Sequence, residues 1–147
     1  MTIRVKTLIL AAACTASLGC RAARYSPAGF QLPADGNIER GKQTFVAMGC
    51  HSCHDVIGAG LVRTDTGPAT PVGLGGDVVH RFSDGYLVTS MINPDHEVSW
   101  QVKAQTMPNV SRMPSYADRM NVRQMIDVVA FLQANYRERQ IPPTYTP

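Results

Sequence analysis

The chain has 147 residues, 44% of them hydrophobic, and its fourteen Lys and Arg against eleven Asp and Glu give a formal charge of +3. That length suits one globular domain with a core of its own and is short for two. The positive excess is small and scattered, with no basic run, which excludes the electrostatic footprint of a nucleic-acid partner.

Residues 1–19 stand apart from the fold. Arg4 and Lys6 precede "TLILAAACTASL", an apolar stretch of signal-peptide length. It is too short to span a bilayer comfortably as a permanent helix. It runs into "SLGC", and the small residues ahead of Cys20 resemble the lipobox of bacterial lipoproteins, in which that cysteine becomes the lipid-bearing first residue of the mature protein. Ser17 stands where that pattern usually carries Leu, with Leu18 one place later, and "AAAC" at Cys14 competes but leaves a very short apolar segment. The plainer alternative is a cleaved signal and a soluble periplasmic protein. Several acyl chains on Cys20 would anchor stably, where one alone holds only marginally. The cysteines are then accounted for without a disulfide: Cys14 leaves with the signal, Cys20 takes lipid, and Cys50 and Cys53 remain. An oxidising compartment joins idle neighbouring thiols, so that pair needs an occupation. Loss of the signal brings the charge to +1.

Residues 20–36, with two prolines and two glycines after Cys20, read as an anchored N-terminus and tether, whose Tyr25 and Phe30 have the character to pack on a domain surface. Asn37 is a plausible N-cap for a helix with Ile38, Phe45 and Val46 near one face, and that helix runs directly into "GCHSCH". The following "GAGLVRTDTGPATPVGLGGD" is too rich in turn residues for a regular element. Ser83 or Asp84 caps a further helix, "GYLVTSMIN", with Tyr86, Leu87, Met91 and Ile92 inward, and Pro94 stops it. Residues 95–120 are irregular.

The clearest helix comes last. Asn121 with Gln124 forms a capping box, and Val122, Met125, Ile126, Val129, Leu132 and Tyr136 recur at three- and four-residue spacing. Residues 137–147 read as a tail. No segment alternates as a strand, so the expected domain, 37–136, is all-α with long loops. Loops that long in a small domain need something large at the centre.

The pentapeptide Cys50-His51-Ser52-Cys53-His54 names what that is. C-x-x-C-H is the attachment signal for c-type haem: two thiols add to the haem vinyl groups as thioethers, and the adjacent His54 coordinates iron. A redox C-x-x-C expects a βαβ context, and structural zinc needs a fourth ligand that His51, His80 and His96 do not supply with a second cysteine pair.

With these residues in view, 37–136 resembles a class I cytochrome c domain, with a fold of three to five helices and long loops around one haem. "GKQTFVAMGCHSCH" resembles that family's first helix, with Gly41 and Phe45 at its glycine and aromatic positions; "TGP" at 66–68 resembles its Gly-Pro; "RMPSYADRMNVRQMIDVVAFLQ" resembles its Met-Pro ligand and C-terminal helix. The resemblance implies that the two terminal helices cross at the glycine, that the carbonyl of Pro68 accepts the His54 imidazole N–H, and that the other axial ligand is a methionine. "GPATPVGLGG" departs from the commoner "GPxLxG" form, which leaves the side chain covering the haem there unassigned.

A thioether as sixth ligand favours ferrous iron and closes the site to outside ligands, as an electron carrier requires. Met91 and Met120 read as core. Met107 and Met113 each precede a proline in irregular chain; Met113, eight residues before Asn121 and eighteen before Phe131, matches the family spacing, and Met107 falls six residues too early. His80 and His96 are alternative ligands or, more plainly, surface residues. Trp100, Arg81 and Lys103 are candidate propionate partners. Arg112, Arg119 and Arg123 flank the ligand loop and are candidates for steering an acidic partner.

The expected function is single-electron carriage between redox partner proteins by a monohaem cytochrome, at the outer face of a bacterial membrane or in the periplasm, with no small-molecule substrate. The rivals are a fixed subunit of a larger respiratory or sulfur-oxidising complex, and a haem enzyme or gas sensor with an open sixth position.

Overall fold

The computed structural model describes residues 25–26, 29–64, 71–98 and 110–140. Cys14, Cys20, Pro68, Trp100, Lys103 and Met107 lie outside them. Among the described residues there are three α-helices, α1 (Ile38–Ala47), α2 (Asp84–Ile92) and α3 (Val122–Asn135), two 3-10 turns, and three short strands, β1 (His54–Ile57), β2 (Val72–Val78) and β3 (Tyr136–Glu138). No described helix is long and apolar enough to cross a membrane.

Each helix starts where its sequence says it should. The Asn37 side chain accepts from the Arg40 amide at 2.8 Å, and Ser83 accepts from Tyr86 at 3.2 Å. At α3 the cap is reciprocal: Asn121 Oδ1 accepts from Gln124 at 2.9 Å while Gln124 Oε1 accepts from the Asn121 amide at 3.0 Å. Both contacts satisfy N–H groups that a helix leaves without internal partners. Gly49, at φ 74°, ends α1 in the left-handed conformation that glycine adopts without penalty.

α1 crosses α3 at Gly41. A Cβ there would collide with the Asp127 carbonyl oxygen and approach the Phe131 Cβ to 2.8 Å, so only glycine permits this spacing. One turn further on, Phe45 packs its ring against Phe131 with centroids 5.6 Å apart. Phe45, Val128, Val129, Phe131, Leu132 and Tyr136 are buried there, together with Leu87 and Met91 of α2. This is the crossing of terminal helices that the resemblance implies, made by the glycine and the aromatic at their matching positions.

The strands correct the all-α expectation. They form a parallel sheet in the order β1-β2-β3, pairing His54 with Val72 and Gly76 with Tyr136. β2 falls in the glycine-rich stretch read as irregular. It changes partner between Gly75 and Gly76, whose φ values of 76° and 77° are strained for any other residue. Neither alternation nor β-propensity marks such a strand, because its backbone partners are distant in sequence and set its conformation.

Four inward assignments also fail. Ile38 is 53% exposed, Val122 is 70% exposed, and Val46 and Ile92 are exposed as well. Ile38 and Val122 are first residues of their helices.

At the N-terminal side, part of the segment read as a tether lies on the domain. The Leu32 amide donates to Asp84 at 3.0 Å, Arg123 pairs with Asp35 at 3.0 Å, and Tyr25 stacks on Phe82 at 5.5 Å. At the other end, β3 carries ordered pairing past Tyr136 into the segment read as a tail, with Arg137 bonded to Asp77 at 2.8 Å.

Candidate haem-binding site

The attachment motif begins where α1 stops. Gly49 turns the chain, and Cys50–Ser52 form a 3-10 turn closed by the Cys53 amide on the Cys50 carbonyl at 3.2 Å. With three residues per turn, side chains at i and i+3 eclipse, which sets Cys50 and Cys53 on one side of the chain. The Ser52 hydroxyl braces the turn by donating to the Gly49 carbonyl at 2.7 Å. Both thiols are free and partly buried. Burial pushes the Cys50 thiol pKa up, with the Tyr116 hydroxyl pulling the other way.

His54 opens β1, its ring against Phe45 at a centroid distance of 6.4 Å. Burial lowers its pKa and so favours the neutral imidazole, the form that binds metals. The Val72 backbone opposes this without satisfying Nδ1, which is buried and has no hydrogen-bond partner among the described residues. A buried ring nitrogen without a partner is costly, so it marks a place where the fold expects one. Pro68, whose carbonyl the resemblance assigns to it, lies outside the described residues.

Met113 is partly buried against the core cluster. Its amide donates to Ser111 Oγ at 3.1 Å, and the Ser111 amide donates to Asp95 Oδ1 at 2.6 Å, so the Met113 loop is braced from the segment that follows α2. Met91 and Met120 are buried core residues. His80 and His96 are exposed: His80 faces Glu138 at 3.3 Å, and His96 Nδ1 lies 2.9 Å from the Asn93 carbonyl with its ring against Tyr86. Among the candidate arginines, Arg81, Arg112 and Arg119 are exposed, and Arg123 is engaged by Asp35.

Two residues went unnoticed in the sequence. Asp127, 3% exposed between Ile126 and Val128, accepts from the Asn37 amide at 2.7 Å and from Arg40 at 2.8 and 3.1 Å. Those bonds, the Arg40 bond foremost, lower its pKa. Tyr116 donates its hydroxyl to the Met48 carbonyl at 3.0 Å, beside the attachment cysteines. The available signal was an aromatic three residues after Met113 in an otherwise polar stretch.

Two thiols on one side of a turn, a neutral buried imidazole beside them and a thioether turned to the core form a donor set that fits haem c. Among the described residues no three His, Cys, Asp or Glu side chains gather as a metal-holding group, so structural zinc finds no ligand set there. A family model described as Cytochrome c matches residues 38–135. The chain belongs to the cytochrome c family. Domains of this family bind haem c covalently, typically one per domain, and generally carry electrons to redox partners. Searches of the curated proteins and of the solved structures return no match. The chain is therefore a haem-binding electron-transfer protein, and the Gly41 crossing and the Cys50–His54 turn both fall within the matched region.

Proposed function

We propose that this cytochrome is a monohaem carrier of single electrons, held by lipid on Cys20 at the periplasmic side of a bacterial membrane, with Cys50 and Cys53 as covalent anchors and His54 and Met113 as axial ligands. The observation that carries the reading is the buried Nδ1 of His54, without a partner among the described residues, next to two free thiols three residues apart on one turn. Haem c, when bound, supplies a one-electron ferric/ferrous couple. The residues of the chain supply the rest. Burial keeps the His54 imidazole neutral, and the Pro68 carbonyl would orient it by accepting the Nδ1 proton, which also makes the other nitrogen a better donor. The Met113 thioether would be the second protein ligand to the iron, a soft donor that favours the reduced state.

Protein matured in a strain competent for cytochrome assembly is expected to give a low-spin c-type spectrum, with the sulfur-to-iron band at the red end of the ferric form. Its redox titration should fit a single one-electron couple. Carbon monoxide should leave the ferrous spectrum unchanged; ready binding would mean an open sixth position and would turn the reading toward enzyme or gas sensor. Mass spectrometry of membrane-extracted protein should find acyl groups on Cys20, and an unmodified N-terminus downstream of it would remove the anchor while leaving electron carriage intact. Co-purification with a fixed set of membrane proteins would replace the shuttle by a complex subunit.

A further inference from the structure

Tyr116 is 6% exposed and lies three residues after Met113. Its amide donates to the Met91 carbonyl at 2.9 Å, and the hydroxyl of neighbouring Ser115 donates to the Ile92 carbonyl at 2.7 Å, so α2 sets the backbone of this loop. The side chain reaches elsewhere. Its hydroxyl donates to the carbonyl of Met48 at 3.0 Å, two residues ahead of Cys50 and 68 residues away in sequence. It also lies against the Cys50 thiol; burial first, and then this thiol, push the phenol pKa up to about 12. Phenylalanine would fill the same space at lower cost, because a buried hydroxyl is unfavourable unless partnered. Here the surplus oxygen has a partner, on the segment that leads into the haem-attachment motif.

We propose that the Tyr116 hydroxyl is the positioning group for the sixth ligand, clamping the Met113 loop to the Met48 carbonyl so that the thioether stays on iron against competing ligands. Thioether bonds at Cys50 and Cys53 would fix the haem in the frame of residues 48–53. A bond from the ligand loop to Met48 fixes Met113 in that same frame. For the loop to swing away, this part-buried hydrogen bond must break. The inference rests on the His54 and Met113 assignment above.

The test is imidazole competition on the ferric, haem-loaded protein, followed by loss of the sulfur-to-iron band, in the wild type, Tyr116→Phe, Ser115→Ala and Met113→Ala. Tyr116→Phe keeps the whole ring and should retain covalent haem and the band without imidazole. Its half-displacement point should fall about tenfold or more, the scale on which one buried hydrogen bond shifts an equilibrium. Ser115→Ala, which loosens the same loop from α2 and spares the clamp, should move it by much less. A Tyr116→Phe curve equal to wild type overturns the inference, even with a lowered urea midpoint, because the hydroxyl then serves stability alone. Tyr116→Phe protein without attached haem overturns it too, by assigning the hydroxyl to attachment. A band that survives in Met113→Ala sinks the ligand assignment and the inference together, whereas its loss there with an unshifted Tyr116→Phe curve sinks the inference only.

Discussion

The α1–α3 crossing and the attachment turn lie side by side, yet their polar groups are settled in opposite ways. At the crossing, Asp127 accepts three hydrogen bonds from Asn37 and Arg40, and glycine brings the backbones together around it. At the attachment turn, Nδ1 of His54 and Nδ1 of His51 are buried with no partner among the described residues, and two thiols stand free. The first region is complete in the polypeptide. The second presents the thiols and the imidazole that the family's haem would take, so holding the chain together and holding the cofactor are tasks given to adjacent but separate sets of residues.

That contrast breaks most sharply at the cysteines. Replacing both Cys50 and Cys53 by alanine should abolish covalent haem, read as complete loss of haem staining after denaturing electrophoresis, while the Gly41 crossing has no part in the attachment chemistry. Next in size is Gly41→Ala. The new methyl meets backbone, which cannot rotate away, so the helices must separate at a cost of about 3 kcal/mol or more, measured as a lower urea midpoint. Haem that has attached should stay attached.

A smaller loss, about 2 kcal/mol at neutral pH, is expected for Asp127→Asn, which removes the charge from a buried hydrogen-bonded carboxylate. Its pH dependence sharpens the comparison. The folded-state pKa of Asp127 lies below the unfolded value, so its contribution is present above about pH 4 and is lost as pH falls through the folded value. The wild-type advantage over Asp127→Asn should therefore shrink on acidification below about pH 4, and a constant gap from pH 7 to pH 3 would refute the assignment. Least affected should be Arg123→Ala. Its pair with Asp35 is exposed on both sides, and no measurable change in urea midpoint is expected.

What was legible in the sequence was what neighbours in sequence decide. Asn37, Ser83 and Asn121 cap helices within three residues, and the C-x-x-C-H spacing marked the attachment segment. The Gly41 crossing was reached through resemblance and is present. What escaped depends on distant partners. Asp127 looked like one polar residue among apolar ones because Arg40 is 87 residues away. β2 looked like loop because glycines mask a strand whose pairing is supplied by β1 and β3. Tyr116 went unnoticed because its partner, the Met48 carbonyl, is 68 residues away.

The change of partner along β2 bears on the order in which the chain assembles. Its first half joins His54–Ile57, across a modest span, whereas its second half waits for Tyr136–Glu138 from the far end of the domain. Closing the longer span is entropically dearer and slower. β3 should accordingly be the last piece to dock and the first to fray, with its amides the earliest in the sheet to exchange with deuterated solvent.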